Sequence, residues 1–237
     1  MGRAFEYRKA SKMARWDKMA KDFTRVGREI AIAVKASGPL PENNPMLRRA
    51  ILNAKAVQMP KDRVEAAIKR ASSKDQKDYE EPVYEAMGPH TVAIVIETAT
   101  DNPTRTVANL RTILNKNGGS MGTVGMHNFV FERNGVFTIV AANVNPDDLE
   151  LELIDFGLDD LEKSDDGQHY IIYTKFQDFG SMQKALEDKN IEVIKSELQR
   201  IPNHTVELNE EQMDEVLELI DKLEQDDDVQ HVFHNLA

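Results

Sequence analysis

Between Lys18 and Lys35 the apolar residues recur every three or four positions. Met19, Phe23, Val26, Gly27, Ile30 and Val34 share one side of a helical wheel, and Lys18, Lys21, Arg25, Arg28 and Lys35 share the other. The spacing predicts an amphipathic helix with a basic outer stripe, flanked by Asp22 and Glu29 and stopped by Ser37-Gly38-Pro39. Arg3 to Trp16 reads as a shorter basic segment ahead of it, with Phe5, Tyr7 and Trp16 interleaved. Those aromatics either stack on bases or riboses or anchor the segment on a small core. Asn43 or Asn44 is placed to cap a second helix with Pro45 at its first position. That helix has the apolar face Leu47, Ala50, Ile51, Ala54 and Val57. Pro60 opens a third, packed through Val64, Ala67 and Ile68. The polar run Ser72 to Asp78 reads as a linker.

Beyond it the period changes. Thr91–Thr98 is β-branched and predicts a buried strand. Asp101-Asn102-Pro103 starts a helix with the face Val107, Leu110, Ile113 and Leu114, ended by Gly118. Asn128–Arg133 and Val136–Ala142 read as two strands joined by a hairpin turn at Asn134-Gly135. From Val136 the pattern runs strand, helix (147–156, closed by Gly157), strand (158–163), strand (169–174), helix (176–188), strand (191–199). This β-α-β-β-α-β order is ferredoxin-like. A helix at 210–223 and a strand at 228–233 follow. That last pair lacks neighbours of its own, and the earlier βαβ unit, 91–133, is expected to have a free sheet edge. Pairing the two makes the middle domain discontinuous. The expected fold is multi-domain, α and α+β: a basic helical domain at 1–78, a discontinuous α+β domain at 79–134 plus 202–237, and an inserted ferredoxin-like domain at 135–201.

Charge sharpens this division. Residues 1–77 hold 19 Lys and Arg against 8 Asp and Glu, a net +11. Residues 78–237 hold 11 against 33, a net −22. A basic module on an acidic body suits a phosphate-bearing partner, because the basic part supplies attraction that does not depend on base sequence. The length, 237 residues, allows two or three domains, and 41% apolar residues suits globular folding. With no cysteine, disulfides, thiolate zinc sites and cysteine nucleophiles are excluded. Apolar runs are too short to span a bilayer, and a cytoplasmic protein without membrane or small-molecule partners is expected.

Other motifs point away from catalysis. Asn117 to Gly125 is glycine-rich, but it follows a helix and leads toward a strand, the reverse of a dinucleotide fingerprint. It also lacks the Gly-Lys-Ser/Thr of a Walker loop. It is expected to be a flexible partner-contact loop, Gly118, Gly119, Ser120, Met121 and Gly122. His231 and His234, three apart in a strand, face opposite sides, so no metal is expected there. Asp226-Asp227-Asp228 reads as a turn feature. No cofactor and no catalytic constellation is expected.

Several strings in order carry a family resemblance: Asn44-Pro45-Met46-Leu47-Arg48, Met59-Pro60-Lys61-Asp62, Tyr84-Glu85-Ala86-Met87-Gly88-Pro89, Thr100-Asp101-Asn102-Pro103-Thr104-Arg105, Asn117-Gly118-Gly119, Ile201-Pro202-Asn203 and Asp226 to Asn235. Over nearly its whole length the chain resembles the YebC family, which includes the mitochondrial translational activator of cytochrome c oxidase. The resemblance implies three domains, the third inserted in the second, and no catalysis. It also implies regulation of gene expression, through promoter DNA or through the ribosome at stretches such as consecutive prolines. The extreme N-terminus departs from the family's commonest Gly-His-Ser-Lys-Trp string, so contacts of that string are not carried over. Affinity is expected from Lys18, Lys21, Arg25, Arg28, Arg48 and Lys55, joined by Arg3, Arg8, Lys9, Lys12 and Arg15. The expected partner is nucleic acid, either promoter DNA or ribosomal RNA. A protein-interaction adaptor is the remoter alternative.

Overall fold

The computed structural model describes residues 3–73, 78–142 and 144–237, with side chains from Met19 onward. The chain forms two compact units, Met1–Tyr79 and Glu80–Ala237.

The first unit is helical. Helix α1 is Arg3–Ser37, so the basic segment expected as a separate piece is the first part of one continuous helix. Nothing between Trp16 and Lys18 breaks the helix, since neither Gly nor Pro occurs there. Its C-terminal half buries Val26, Ile30, Ala33 and Val34 against Leu47, Ala50 and Ala54 of α2 (Pro45–Ala56) and Val64 and Ala71 of α3 (Lys61–Ala71). Asn44 sets the α1–α2 corner. Its Oδ1 accepts from the Leu47 amide at 2.9 Å, so of the two candidates Asn43 and Asn44 it is Asn44 that caps α2. Its Nδ2 donates to the carbonyls of Ala33 and Gly38 at 2.7 and 2.8 Å. A fully buried amide therefore satisfies orphan groups at the end of one helix and the start of the next.

The second unit holds two antiparallel sheets. The first has the order β3-β1-β2-β8, built from β1 (Val83–Met87), β2 (Ala93–Thr98), β3 (Ser120–Met121) and β8 (Val229–His234). Helices α4 (Pro103–Lys116) and α7 (Glu210–Glu224) bury Leu110, Leu114, Val216, Leu219 and Leu223 with Ile94 and Ile96 of β2. Two features differ from expectation. Strand β1 was not expected, and the strand expected at 128–133 is not part of this sheet, since Phe131–Arg133 lies in the second one; the other edge of β2 takes β8. Val83–Met87 carries one fully buried residue, Ala86, too small to give an apolar alternation.

The second sheet has the order β5-β6-β4-β7, from β4 (Phe131–Val140), β5 (Leu158–Lys163), β6 (His169–Lys175) and β7 (Val193–Pro202). Helices α5 (Pro146–Leu153) and α6 (Phe179–Asp188) cover one face over Phe137, Ile139 and Ile172. Connection and order are those of a ferredoxin-like fold. The hairpin expected at Asn134-Gly135 is absent. Both residues lie inside β4, paired with Lys175 and Thr174 of β6 and with Gln199 and Leu198 of β7. Gly135 is needed for close packing instead: a Cβ there would come within 2.5 Å of the Phe179 ring and 2.8 Å of Thr174 Cγ2. The chain thus runs from the first sheet into the second at β4 and returns to the first through α7 and β8.

Candidate nucleic-acid interface

The basic unit offers a groove between α1 and α3. Phe23, Gly27 and Arg28 come from α1, and Arg63, Ala67 and Arg70 from α3, enclosing about 560 Å³. Its floor is low because Gly27 and several alanines stand where larger side chains would fill the gap. A Cβ on Gly27 would meet nothing within 4 Å. Three arginines surround the groove, and each aromatic wall carries a guanidinium. Arg63 lies over the Phe23 ring at 5.5 Å, and Arg28 over Tyr79 at 5.6 Å. Lys35 pairs with Asp78 at 3.1 Å beyond it.

The expected stripe is divided by this packing. Arg28 faces the groove, while Lys21 and Arg25 are half-buried along α1. Lys18, with Arg3, Arg8, Lys9, Lys12 and Arg15, lies on the part of α1 whose side chains are outside the described residues. On α2, Arg48 Nη1 donates to the carbonyls of Pro41 and Glu42 at 3.0 and 3.3 Å, an anchor for the preceding turn. Lys55 is exposed in the last turn of α2. Arg63 and Arg70 were not expected. Their separation of seven, two helical turns, puts them on one face, a spacing visible in the sequence once α3 is known to line a groove.

In the second unit the glycine segment is pinned at several backbone positions. Gly118 ends α4 with a left-handed φ of 75°. Gly119 packs against the Met87 carbonyl, Leu114 and Leu219, where a Cβ would come within 3.0–3.3 Å. Ser120 and Met121 pair with Met87 and Ala86 as β3, and Gly122 donates to the Glu85 carbonyl at 2.7 Å. The exposed tip comes later, at Val124 and Phe129, 91% and 90% exposed. The Glu85 carboxylate holds this tip by accepting from the amides of Gly125 and His127, both at 2.7 Å. His127, buried, hydrogen-bonds the Ala86 carbonyl at 2.8 Å.

The Thr100 to Arg105 and Asp226 to Asp228 strings meet in a structural cluster. Asp228 Oδ2 is acceptor to Arg105 Nη2 at 2.7 Å, Thr106 Oγ1 at 2.7 Å and Thr100 Oγ1 at 3.1 Å. The hydrogen bond to Asp228 holds the Arg105 guanidinium above its ordinary value. The cluster fastens the start of α4 to the start of β8. Among the described residues no three metal-ligating side chains cluster, and no helix is long and apolar enough to cross a membrane.

Comparison with known proteins fits this architecture. Residues 3–74 match the model of the TACO1/YebC protein N-terminal domain, and residues 79–236 that of the TACO1/YebC second and third domain. A probable transcriptional regulatory protein of Anaeromyxobacter dehalogenans is 54% identical over 240 residues, covering all of both chains. One of Cytophaga hutchinsonii is 54% identical over 237 residues, covering all of this chain and 99% of its own. The crystal structure of a conserved hypothetical protein from Aquifex aeolicus superposes with a TM-score of 0.78 at 34% identity, over 92% of this chain and 90% of that one.

Proposed function

The chain belongs to the TACO1/YebC family, and from that premise we propose that it is a non-catalytic, nucleic-acid-binding regulator of gene expression that works in the cytoplasm. The observation that carries the reading is the arginine groove in the helical unit, whose residues 1–77 carry a net charge of +11. Arg28, Arg63 and Arg70 supply cations for phosphate, and the guanidinium planes of Arg63 and Arg28, held over Phe23 and Tyr79, supply flat surfaces for bases. The acidic remainder repels phosphate and confines the approach to the helical unit. The names of the relatives favour promoter DNA as the target.

The walls of the groove favour a second target, the unpaired nucleotides of ribosomal RNA. A groove with aromatic sides takes an unstacked base, which duplex DNA does not offer without flipping. In that reading the protein is a ribosome-associated translation factor that relieves stalling, and Val124 and Phe129 are its second contact.

The test is anisotropy titration of the full chain against duplex DNA and against an RNA hairpin with an open loop, at several salt concentrations. Replacing Arg28, Arg63 and Arg70 by Gln should flatten the slope of log K against log salt by about 0.9 per lost contact on duplex DNA and about 0.7 on single strands. An unchanged slope removes the groove from the interface. Sucrose-gradient sedimentation of lysate with and without RNase then separates the targets. RNase-sensitive migration with ribosomes identifies the translation factor, and its absence identifies the promoter binder.

A further inference from the structure

The groove between α1 and α3 has a floor as well as arginine walls, and one floor residue has no explanation in folding. Gly27 lies in the interior of α1, where glycine is the least favourable residue after proline. A glycine is required there when the backbone turns left-handed or when a neighbour needs its room. Neither holds at this position. Gly27 has no positive φ, and a Cβ on it would meet nothing among the described residues within 4 Å. Gly119 and Gly135 are the contrast, since a Cβ there runs into packed side chains at 3.1 and 2.5 Å.

The bare backbone leaves the middle of the groove open. Gly27 lines it with Ala31 of the same helix and Ala67 of α3. One turn earlier on α1, the Phe23 ring carries the Arg63 guanidinium at 5.5 Å. Next to Gly27, Arg28 lies over Tyr79 at 5.6 Å. The charged groups stand at the sides and the floor is carbon. That division selects what each part takes. Inside a helix every amide is already bonded to the carbonyl four residues back, so the floor has no donor for a phosphate. The donors are the guanidiniums. A nucleobase has a flat face with little polarity, and it stacks on guanidinium planes.

We infer that Gly27 is a specificity-determining position: the open floor over it seats one unpaired base, whose flanking phosphates take Arg28, Arg63 and Arg70. Bases of a duplex are stacked on one another and reach such a floor only by flipping. The inference rests on the groove being the nucleic-acid interface, and within that reading it selects an unpaired strand over a duplex.

The test is fluorescence anisotropy of the full chain with three labelled probes: an RNA hairpin with an open loop, a DNA hairpin of the same sequence, and a blunt RNA duplex. Gly27→Ala and Gly27→Leu add a side chain to the floor and change no charge. Both should raise the melting temperature or leave it unchanged, because helix propensity improves and nothing is displaced. Gly27→Leu should weaken loop binding about tenfold, as when a base is denied its stacking surface, and Gly27→Ala should weaken it less. Duplex affinity should stay within about twofold, and the slope of log K against log salt should not move on any probe. The hairpin whose affinity falls more, RNA or DNA, identifies the source of the base. Undiminished loop affinity in Gly27→Leu overturns the inference and leaves the nucleic-acid reading standing on the arginines. So does an equal loss on loop and duplex, or a lowered melting temperature in both variants, which makes the glycine a packing requirement. A salt slope unchanged by replacing Arg28, Arg63 and Arg70 removes the reading itself, and the inference with it.

Discussion

Single positions in this protein do work that residue type alone does not announce. Gly135 sits in extended backbone in mid-strand, yet the Phe179 ring occupies the space of its missing Cβ, and that ring stacks on Phe137 at 4.7 Å. Gly135→Ala should therefore destabilise the second unit by about 1–3 kcal/mol, the usual cost of overpacking, read from urea denaturation. His234 is a second case. Burial pushes its imidazole below the ordinary histidine value, and its Nδ1 has no partner. The folded state then favours the neutral ring. The stability this contributes is present above the unfolded value, about 6.5, and is lost as pH falls through the window beneath it. A urea midpoint that drops between neutral pH and the mildly acidic range, and a smaller drop in His234→Gln, would confirm the sign. Glu197 belongs to a lower window. Burial pushes its carboxyl up, but Lys195 at 2.6 Å and Gln199 outweigh that and hold it below the ordinary range. Its contribution is lost only as pH falls below about 4.5.

Between elements, polar residues fix what apolar periodicity leaves undetermined. Asn44 joins the end of α1 to the start of α2. Asp228 joins α4 to β8, residues more than a hundred apart in sequence, through three side-chain donors. Asp228→Ala removes the shared acceptor of two buried threonine hydroxyls and a guanidinium, leaving Arg105 to Asp101 and Thr106 to the Asn102 carbonyl. It should cost about 3 kcal/mol and lower the melting temperature. Arg105→Ala should cost less, because the Asp228 carboxylate keeps its two threonine donors. The strings Thr100 to Arg105 and Asp226 to Asp228 are therefore accounted for by folding, with no ligand required. The Val124–Phe129 tip is the opposite case. Phe129→Ser should leave the melting temperature within a degree or two, since a side chain 90% exposed has little packing to lose.

For the molecule as a whole, charge and topology divide the labour. The +11 segment and the −22 segment meet within two residues of the boundary between the compact units. We expect residues 1–79 expressed alone to keep the nucleic-acid affinity and its salt dependence, and residues 80–237 to fold cooperatively without it. Circular dichroism and anisotropy titration of the two fragments measure this. Equal nucleic-acid affinity in both fragments would move the interface off the helical unit.

The sequence alone determined the helical character of the first segment, the helix starts at Asn43 or Asn44 and at Asp101-Asn102-Pro103, the β-α-β-β-α-β order of the second sheet, and the charge division. Each is local or periodic: a cap lies within three residues of what it caps, an amphipathic period repeats every turn, and net charge needs no geometry. Only the tertiary structure decided that Asn134-Gly135 is mid-strand, because the turn propensity of the pair is overridden by the two strands on either side and the ring above. It alone paired Ser120 and Met121 of the glycine segment with β1, brought Arg28, Arg63 and Arg70 around one groove, and left the Asn134 oxygen without a donor. These depend on which faces meet across tens of residues, and composition and spacing carry no record of that.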